Sequence, residues 1–270
     1  MTVSPQLISS ASNPRIKTLR SLERKKGRGE TGLFLAEGAR LVEQALQAGW
    51  EVDTLVVSNS GAELDFVQDL AARVVGAGGS VLQVPDRLAG SIARKDNPQS
   101  VIAAIRQQDM TLAALNASDK RLWIGLYECR DPGNLGTILR TADCAGAAGV
   151  ILIESCCDPY SLEAVRASMG SLFDVAIAKA DFAAFEAWRR AAGLNMVAAS
   201  VNGTVAHIGV DFTEPSLILM GNEQKGLPES VEKQCDTLCL IPMRGGADSL
   251  NLAQATAIML YEGWRQRGFA

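Results

Sequence analysis

A single histidine, His207, stands among 270 residues, and no cysteine precedes Cys129. Structural zinc needs paired Cys and His ligands at short spacings. Only Cys235 and Cys239 approach that spacing, so no metal site is expected. The six cysteines (Cys129, Cys144, Cys156, Cys157, Cys235 and Cys239) read as buried free thiols of a reducing cytoplasm, since a chain of this length needs no disulfide scaffold. No apolar run approaches the roughly 18 residues of a membrane span. The turn and helix at 131–140 have neither G-x-G-x-x-G spacing nor a G-K-[ST] ending, which argues against a nicotinamide enzyme and a P-loop nucleotidase. Positive charge is not in excess either. Twenty-six basic residues face 30 acidic ones, for a net charge of −4, which argues against an indiscriminate nucleic-acid binder. No internal repeat is present.

The remaining composition is ordinary for a globular protein, with 47% hydrophobic and 21% charged residues, and the length suits two domains. No apolar segment follows Met1, so no secretory signal is expected. Ser4, Ser9, Ser10, Ser12, Arg15, Lys17 and Arg20, all ahead of the first acid at Glu23, have the composition of a transit peptide.

The periodicity predicts an α/β protein in two parts. Residues 14–28 read as one basic amphipathic helix, with Ile16, Leu19 and Leu22 on its apolar side. Strands are expected at 33–36, 52–57, 80–84 and 100–105, with helices at 37–48, 62–75 and from Pro85. This gives an α/β sandwich over 1–106. Residues 107–118, polar and then alanine-rich, read as a linker. From 119 to 270 short apolar runs alternate with helices. Strands are predicted at 122–126, 149–153, 174–178, 195–200, 217–220 and 237–241. The helices are expected at 137–145, 161–169, 181–192, 227–234 and 249–266. That pattern describes a mostly parallel sheet covered on both faces.

Three segments interrupt the routine where strands should end, which is where open parallel sheets bind ligands. Asp131-Pro-Gly-Asn-Leu-Gly-Thr-Ile-Leu-Arg140 places a tight turn before a helix whose free N–H groups suit an anion. Asn134 and Arg140, six residues apart, are expected to face neighbouring parts of one site. Leu219 to Pro228 puts Gly221 directly after a buried strand and Glu223 in the loop beyond. Ile241 to Ala253 carries a glycine-bearing loop into the last helix, with Asp248 or Ser249 as its cap. Each segment alone has an ordinary reading: a surface arginine after a turn, a solvated loop carboxylate, a capping serine.

Together, in this order, the three resemble the signature motifs of the SpoU (TrmH) family of ribose 2′-O-methyltransferases in the SPOUT superfamily. The motifs run Asn134-Leu-Gly-Thr-Ile-Leu-Arg140-Thr-Ala142, Gly221-Asn-Glu-Gln-Lys-Gly-Leu227, and Ile241-Pro-Met-Arg-Gly-Gly-Ala-Asp-Ser-Leu-Asn-Leu-Ala253. Asn13-Pro-Arg-Ile-Lys-Thr-Leu19 and Phe34-Leu-Ala-Glu-Gly38 look like the RNA-binding substrate domain often joined to this family, which resembles a ribosomal-protein fold. Their place inside a domain argues against a cleaved transit peptide.

The resemblance implies a deep trefoil knot in the C-terminal domain, S-adenosylmethionine as cofactor, and a homodimer formed through that domain. It implies cofactor contacts from Met220, Gly221, Asn222, Ile241, Met243 and Leu250. Catalytic or substrate-positioning roles fall to Asn134, Arg140, Glu223, Ser249 and Asn251. It implies a cytoplasmic RNA enzyme acting on ribosomal RNA more readily than tRNA, with a non-catalytic RNA-binding adapter of the same fold as the alternative. An intact Asn134, Arg140 and Glu223 speaks against the adapter. The charge divides accordingly. Residues 1–118 carry 13 basic and 12 acidic side chains, and residues 119–270 carry 13 and 18. Arg15, Lys17, Arg20, Arg24, Lys25, Lys26 and Arg28 form the expected RNA contact, since phosphate binding depends on a local patch.

Overall fold

The computed structural model describes residues 5–93 and 99–269; Ser4, part of the serine-rich N-terminal composition, lies outside them. The chain divides into two compact units. One comprises Met1–Gln108 with Asp158–Phe173, and the other Asp109–Cys157 with Asp174–Ala270.

In chain order, the first stretch contains β1 (Gln6–Leu7), α1 (Pro14–Ser21), α2 (Lys25–Thr31), β2 (Leu33–Glu37), α3 (Ala39–Gln47) and β3 (Val52–Ser58). There follow α4 (Asp65–Gly76), β4 (Ser80–Val84), α5 (Asp86–Ala93) and β5 (Val101–Arg106). Five strands form a mixed sheet in the order β1-β4-β3-β5-β2. β5 runs antiparallel to both β2 and β3, while β4 is parallel to β1 and β3. Ile16, Leu19 and Leu22 join Val56, Leu82, Leu88 and Ile92 in one buried cluster, which is why the first helix forms against the sheet.

The helix expected over 14–28 is two helices. Arg24 adopts an extended backbone (φ −92°, ψ 140°) between them. Gly27 approaches the Ser21 carbonyl so closely that a β-carbon would collide with it. The two short helices therefore fold back on each other.

The second part of the chain contains β6 (Trp123–Tyr127), α6 (Pro132–Cys144), β7 (Gly149–Ile153), α7 (Leu162–Ser168), β8 (Ile177–Ala180), α8 (Phe182–Ala191) and β9 (Asn195–Ala199). It continues with β10 (Val205–Ala206), β11 (Ser216–Met220), α9 (Glu229–Glu232), β12 (Thr237–Leu240) and α10 (Leu252–Gln266). Seven strands pair in the order β10-β12-β9-β11-β6-β7-β8, every neighbouring pair parallel. β7 and β11 are buried at every residue, as expected of parallel strands covered on both faces.

α7 belongs to the first unit although it lies within the second part of the sequence. Tyr160 stacks on Phe34 with centroids 4.6 Å apart, and Trp50 meets Phe173 edge-on at 5.3 Å. Asp158 pairs with Arg28 at 2.8 Å, and Arg166 pairs with the buried Glu37. Residues 109–118 belong to the second unit, where Leu112 and Leu115 pack against the core and Met110 accepts from Lys179 N at 2.8 Å.

Several boundaries move for local reasons. Asp131 caps α6 by accepting from Asn134 N at 2.6 Å, and Pro132 takes the first helical position, so α6 starts at 132 instead of 137. Asn251, not Asp248 or Ser249, caps α10, and that helix starts at Leu252. A 3-10 turn at Ser171–Phe173 delays β8 to Ile177. α9 is one turn only. The strands β1 and β10, two residues each, are too short to show a period.

Candidate active site

Because all strands of the second unit point one way, their carboxyl ends deliver several loops to one edge of the sheet. Residues 128–131 leave β6, 200–203 leave β9, 221–228 leave β11 and 241–251 leave β12.

The β11 loop begins with a close approach. A β-carbon at Gly221 would lie 2.5 Å from the Gly226 carbonyl carbon, so only glycine lets the chain return on itself. Asn222 and Gly226 then exchange backbone hydrogen bonds of 3.0 and 2.9 Å, with Gly226 in the left-handed region (φ +65°). The Asn222 side-chain oxygen accepts from Gln224 N and Lys225 N, at 3.0 and 3.1 Å. This small closed loop holds Glu223 in place.

Glu223 is the hub. Its carboxylate accepts from Arg130 N at 3.1 Å and Asp131 N at 3.0 Å. Glu128 makes that approach possible by adopting a left-handed backbone (φ +51°), and its carbonyl accepts from Asn222 Nδ2 at 2.8 Å. Asn134 Nδ2 donates to Glu223 at 3.4 Å, while Asn134 Oδ1 accepts from Asn251 Nδ2 at 2.9 Å. One chain of bonds, Asn251 to Asn134 to Glu223, therefore ties together the three loops that sequence motifs singled out. Burial pushes the Glu223 carboxyl up, but the Asp131 and Arg130 amides and Asn134 outweigh it and hold the carboxyl below its ordinary value. Cys129 lies against Glu223, its Sγ 3.4 Å from Oε1. A hydrogen bond with Cys157 and burial push the Cys129 thiol far up, so it stays a protonated donor.

Beside this hub is a cavity of about 460 Å³. Met220, Gly221, Asn222, Ile241, Met243 and Leu250 all line it. So do Glu223 and Ser249. Its size and its mostly apolar walls, broken by Asn222, Ser249 and backbone groups, suit a nucleoside-sized ligand with flat faces and polar edges. S-adenosylmethionine fits that description. Sequence reasoning missed Ser200, Asn202 and Glu232 on the same wall. No local pattern marks them, because Glu232 looks like one more surface acid until packing buries it. Glu128 and the amides of Arg130 and Asp131 were also missed. Asp131-Pro132, a cap followed by a first-turn proline, was the available signal.

Three expected members, Asn134, Arg140 and Asn251, are not on the cavity lining. Arg140 is exposed, makes no ion pair among the described residues, and does not line the cavity. Six residues of helix turn a side chain by about 600°, which leaves Asn134 and Arg140 some 120° apart around α6. Asn134 itself lies behind the cavity wall, on Glu223. Among the described residues no group of His, Cys, Asp and Glu is arranged to hold a metal ion. All six cysteines are free thiols. Cys144 is exposed, against the expectation of burial.

The basic patch of the first unit is smaller than its sequence. Lys17, Arg24, Lys25 and Lys26 are exposed. Arg28 is not a surface contact: it is 4% exposed, paired with Asp158, and donates to the Leu22 and Glu23 carbonyls. Arg15 is bound to Gln6, Thr54 and Ser80, and Arg20 to Ser91.

Comparison with known proteins gives a consistent result. Residues 121–261 match the SpoU rRNA Methylase family, and residues 13–103 match the MRM3-like substrate binding domain. The chain is 32% identical to the 23S rRNA (uridine(2479)-2′-O)-methyltransferase of Streptomyces viridochromogenes, covering 91% of this chain and 87% of that one. It superposes on the AdoMet-bound rRNA methyltransferase from Sinorhizobium meliloti with a TM-score of 0.90 and 44% identity, over 96% of this chain and 97% of the other. The tRNA (cytidine(34)-2′-O)-methyltransferase of Ancylobacter novellus is 38% identical but covers only 54% of this chain and 94% of its own.

Proposed function

The chain belongs to the SpoU rRNA Methylase family, and from that premise we propose that it is an S-adenosylmethionine-dependent enzyme that methylates one ribose 2′-hydroxyl of ribosomal RNA. The observation that carries this reading is the bonded series Asn251–Asn134–Glu223 beside the cavity lined by Gly221, Ile241 and Leu250. Ribosomal RNA is favoured over tRNA because the relative named for tRNA matches only part of the chain, while the relative named for 23S rRNA also spans the first unit. Residues 1–106 bind the RNA through Lys17, Arg24, Lys25 and Lys26, and residues 119–270 carry the chemistry.

The cofactor, when bound, supplies a methyl group already activated on sulfur, so the protein's task is alignment of the acceptor. Met220, Ile241, Met243 and Leu250 give apolar cover, and Gly221 and Asn222 offer backbone and amide edges. Glu223 holds the β6 and β11 loops in register. Ser249, on the lining, orients the acceptor hydroxyl, and Asn134 steadies Glu223 from behind the wall. Arg140 offers a guanidinium with N–H donors and no acceptor. It grips the ribose or an adjacent phosphate and lowers the hydroxyl's pKa, so that the proton passes to water as the oxygen attacks.

Arg140 lies outside the cavity of its own chain, and on this reading the enzyme is a homodimer whose second subunit brings Arg140 to the acceptor. α10, with Tyr261 exposed, supplies part of the contact. The trefoil knot that the family resemblance implies for the second unit belongs to this reading. Among the described residues no helix is long and apolar enough to cross a membrane. We place the enzyme in the cytoplasm with its RNA.

The test is transfer of a tritiated methyl group to unmodified ribosomal RNA and, separately, to tRNA. Incorporation at one alkali-resistant linkage of ribosomal RNA is the expected result. Methylation of a base, or of tRNA alone, overturns it. Light scattering of the eluting protein tests the dimer.

A further inference from the structure

Glu232 belongs to none of the three loops that the sequence singled out, yet it is a carboxylate in the cavity wall. It ends α9, is 9% exposed, and makes no ion pair among the described residues. Its oxygens accept from Ser200 Oγ at 2.5 Å and from Asn202 Nδ2 at 3.1 Å. Ser200 and Asn202 follow β9 and line the same cavity. The other carboxylate on the lining, Glu223, is covered by the Arg130 and Asp131 amides. Lys225, the lining cation, is exposed to solvent. Among the described residues the Glu232 carboxylate is thus met only by a hydroxyl and a neutral amide. Burying a carboxylate without an ion partner is costly. A cation entering the cavity relieves that cost.

We propose that Glu232 is a charge-reading residue that makes the cavity prefer the cationic cofactor over its neutral product. The inference rests on the cavity being the S-adenosylmethionine site. Methyl transfer breaks the carbon–sulfur bond of a sulfonium and forms a carbon–oxygen bond to the ribose, whose proton is released. The sulfur takes back the electron pair and becomes an uncharged thioether. Substrate and product therefore differ by one unit of positive charge and one methyl group. An uncompensated carboxylate acts on the charge. Two unit charges about 10 Å apart, in an effective dielectric of ~20, change an affinity by about ten-fold or more. A cavity of about 460 Å³ keeps a ligand within that range of its wall. Glu232 favours release of the spent cofactor without any movement of the loops.

The experiment is calorimetric titration of the full-length protein with S-adenosylmethionine, S-adenosylhomocysteine and sinefungin, whose amine replaces the methylated sulfur. Wild-type protein is expected to bind the two cationic ligands about ten-fold more tightly than the thioether. Glu232→Gln is expected to weaken S-adenosylmethionine about ten-fold and leave S-adenosylhomocysteine within two-fold. Ser200→Ala removes a hydrogen bond but not the charge, and keeps the wild-type ratio. Equal weakening of both ligands in E232Q assigns Glu232 a structural role and overturns the proposal, as does no change in either. Should E232Q not fold, the three wild-type affinities decide: a thioether bound as tightly as both cations overturns the inference. Wild-type protein that binds none of the three overturns the cofactor site itself, a different failure.

Discussion

The two units use charge in opposite ways. In the first, cations sit on short helices, and the fold divides them: Arg28 is spent inside the structure, while Lys17, Arg24, Lys25 and Lys26 face solvent. In the second, polar groups meet in loops at strand ends, and Glu223, Asn134 and Asn251 are each bonded to a different loop. A surface patch gathers RNA with little need of geometry. A site that must align one hydroxyl needs loops fixed against each other, and hydrogen bonds between side chains and exposed amides fix them here. Arg140 is the exception in the second unit, since it is exposed like the lysines of the first.

That exception gives the largest expected effect. Arg140→Lys should lower methyl transfer by at least about 100-fold, the scale of losing an aligned electrostatic group. S-adenosylmethionine affinity should stay within about two-fold, because Arg140 is off the cavity. Near-full transfer by the lysine variant breaks the assignment. Replacing Lys17, Arg24, Lys25 and Lys26 together with alanine should weaken RNA binding by roughly ten-fold or more and flatten its salt dependence, since each phosphate contact adds about 0.9 to the slope on duplex and ~0.7 on single strands. Cofactor binding should not change. Filter binding at several salt concentrations reads both.

Glu223→Gln keeps the shape but weakens the acceptor for the Arg130 and Asp131 amides, with an expected loss of about 1.5–3 kcal/mol in loop stability. The pH dependence has a definite sign. A carboxyl held below its ordinary value of 4.5 contributes stability above that pH and loses it as the pH falls through the lower folded value. Thermal unfolding between pH 6 and 3 should therefore fall more steeply for wild type than for E223Q. Arg28→Ala should instead damage the first unit by about 3 kcal/mol, by leaving the half-buried Asp158 without its partner. Its melting transition should drop several degrees, with the salt slope of RNA binding unchanged. Smallest is a labelling result. Cys144 is exposed and should react with a disulfide reagent at neutral pH well ahead of Cys156 and Cys239, whose thiols burial pushes up to about 11.

Much of this was legible in the sequence because parallel strands and capped helices leave local marks. The buried runs at 149–153 and 216–220 carry no alternation, and Gly221 and Gly226 mark a turn. What was not legible depends on distance along the chain. Arg28 looks like its neighbours Lys25 and Lys26 until Asp158, 130 residues away, buries it. Arg24 breaks a helix that its own residue type would have continued, and the cause is the contact of Gly27 with Ser21. Glu232 becomes part of the cavity only through residues that follow β9. The sequence motifs singled out six positions that line one cavity, but they did not show that Arg140 lies off it.

The short segment Asp158–Phe173 has a consequence for how this protein can be taken apart or recombined. It lies inside the matched methylase region but contributes Tyr160, Phe173 and Arg166 to the first unit. A gene fragment that starts at residue 119 would carry those aromatic rings without Phe34 and Trp50. It would leave behind a half-built partner lacking the same rings. In this chain a single crossover at residue 119 would therefore part rings that pack on one another, so its two parts cannot be separated there without losing that packing.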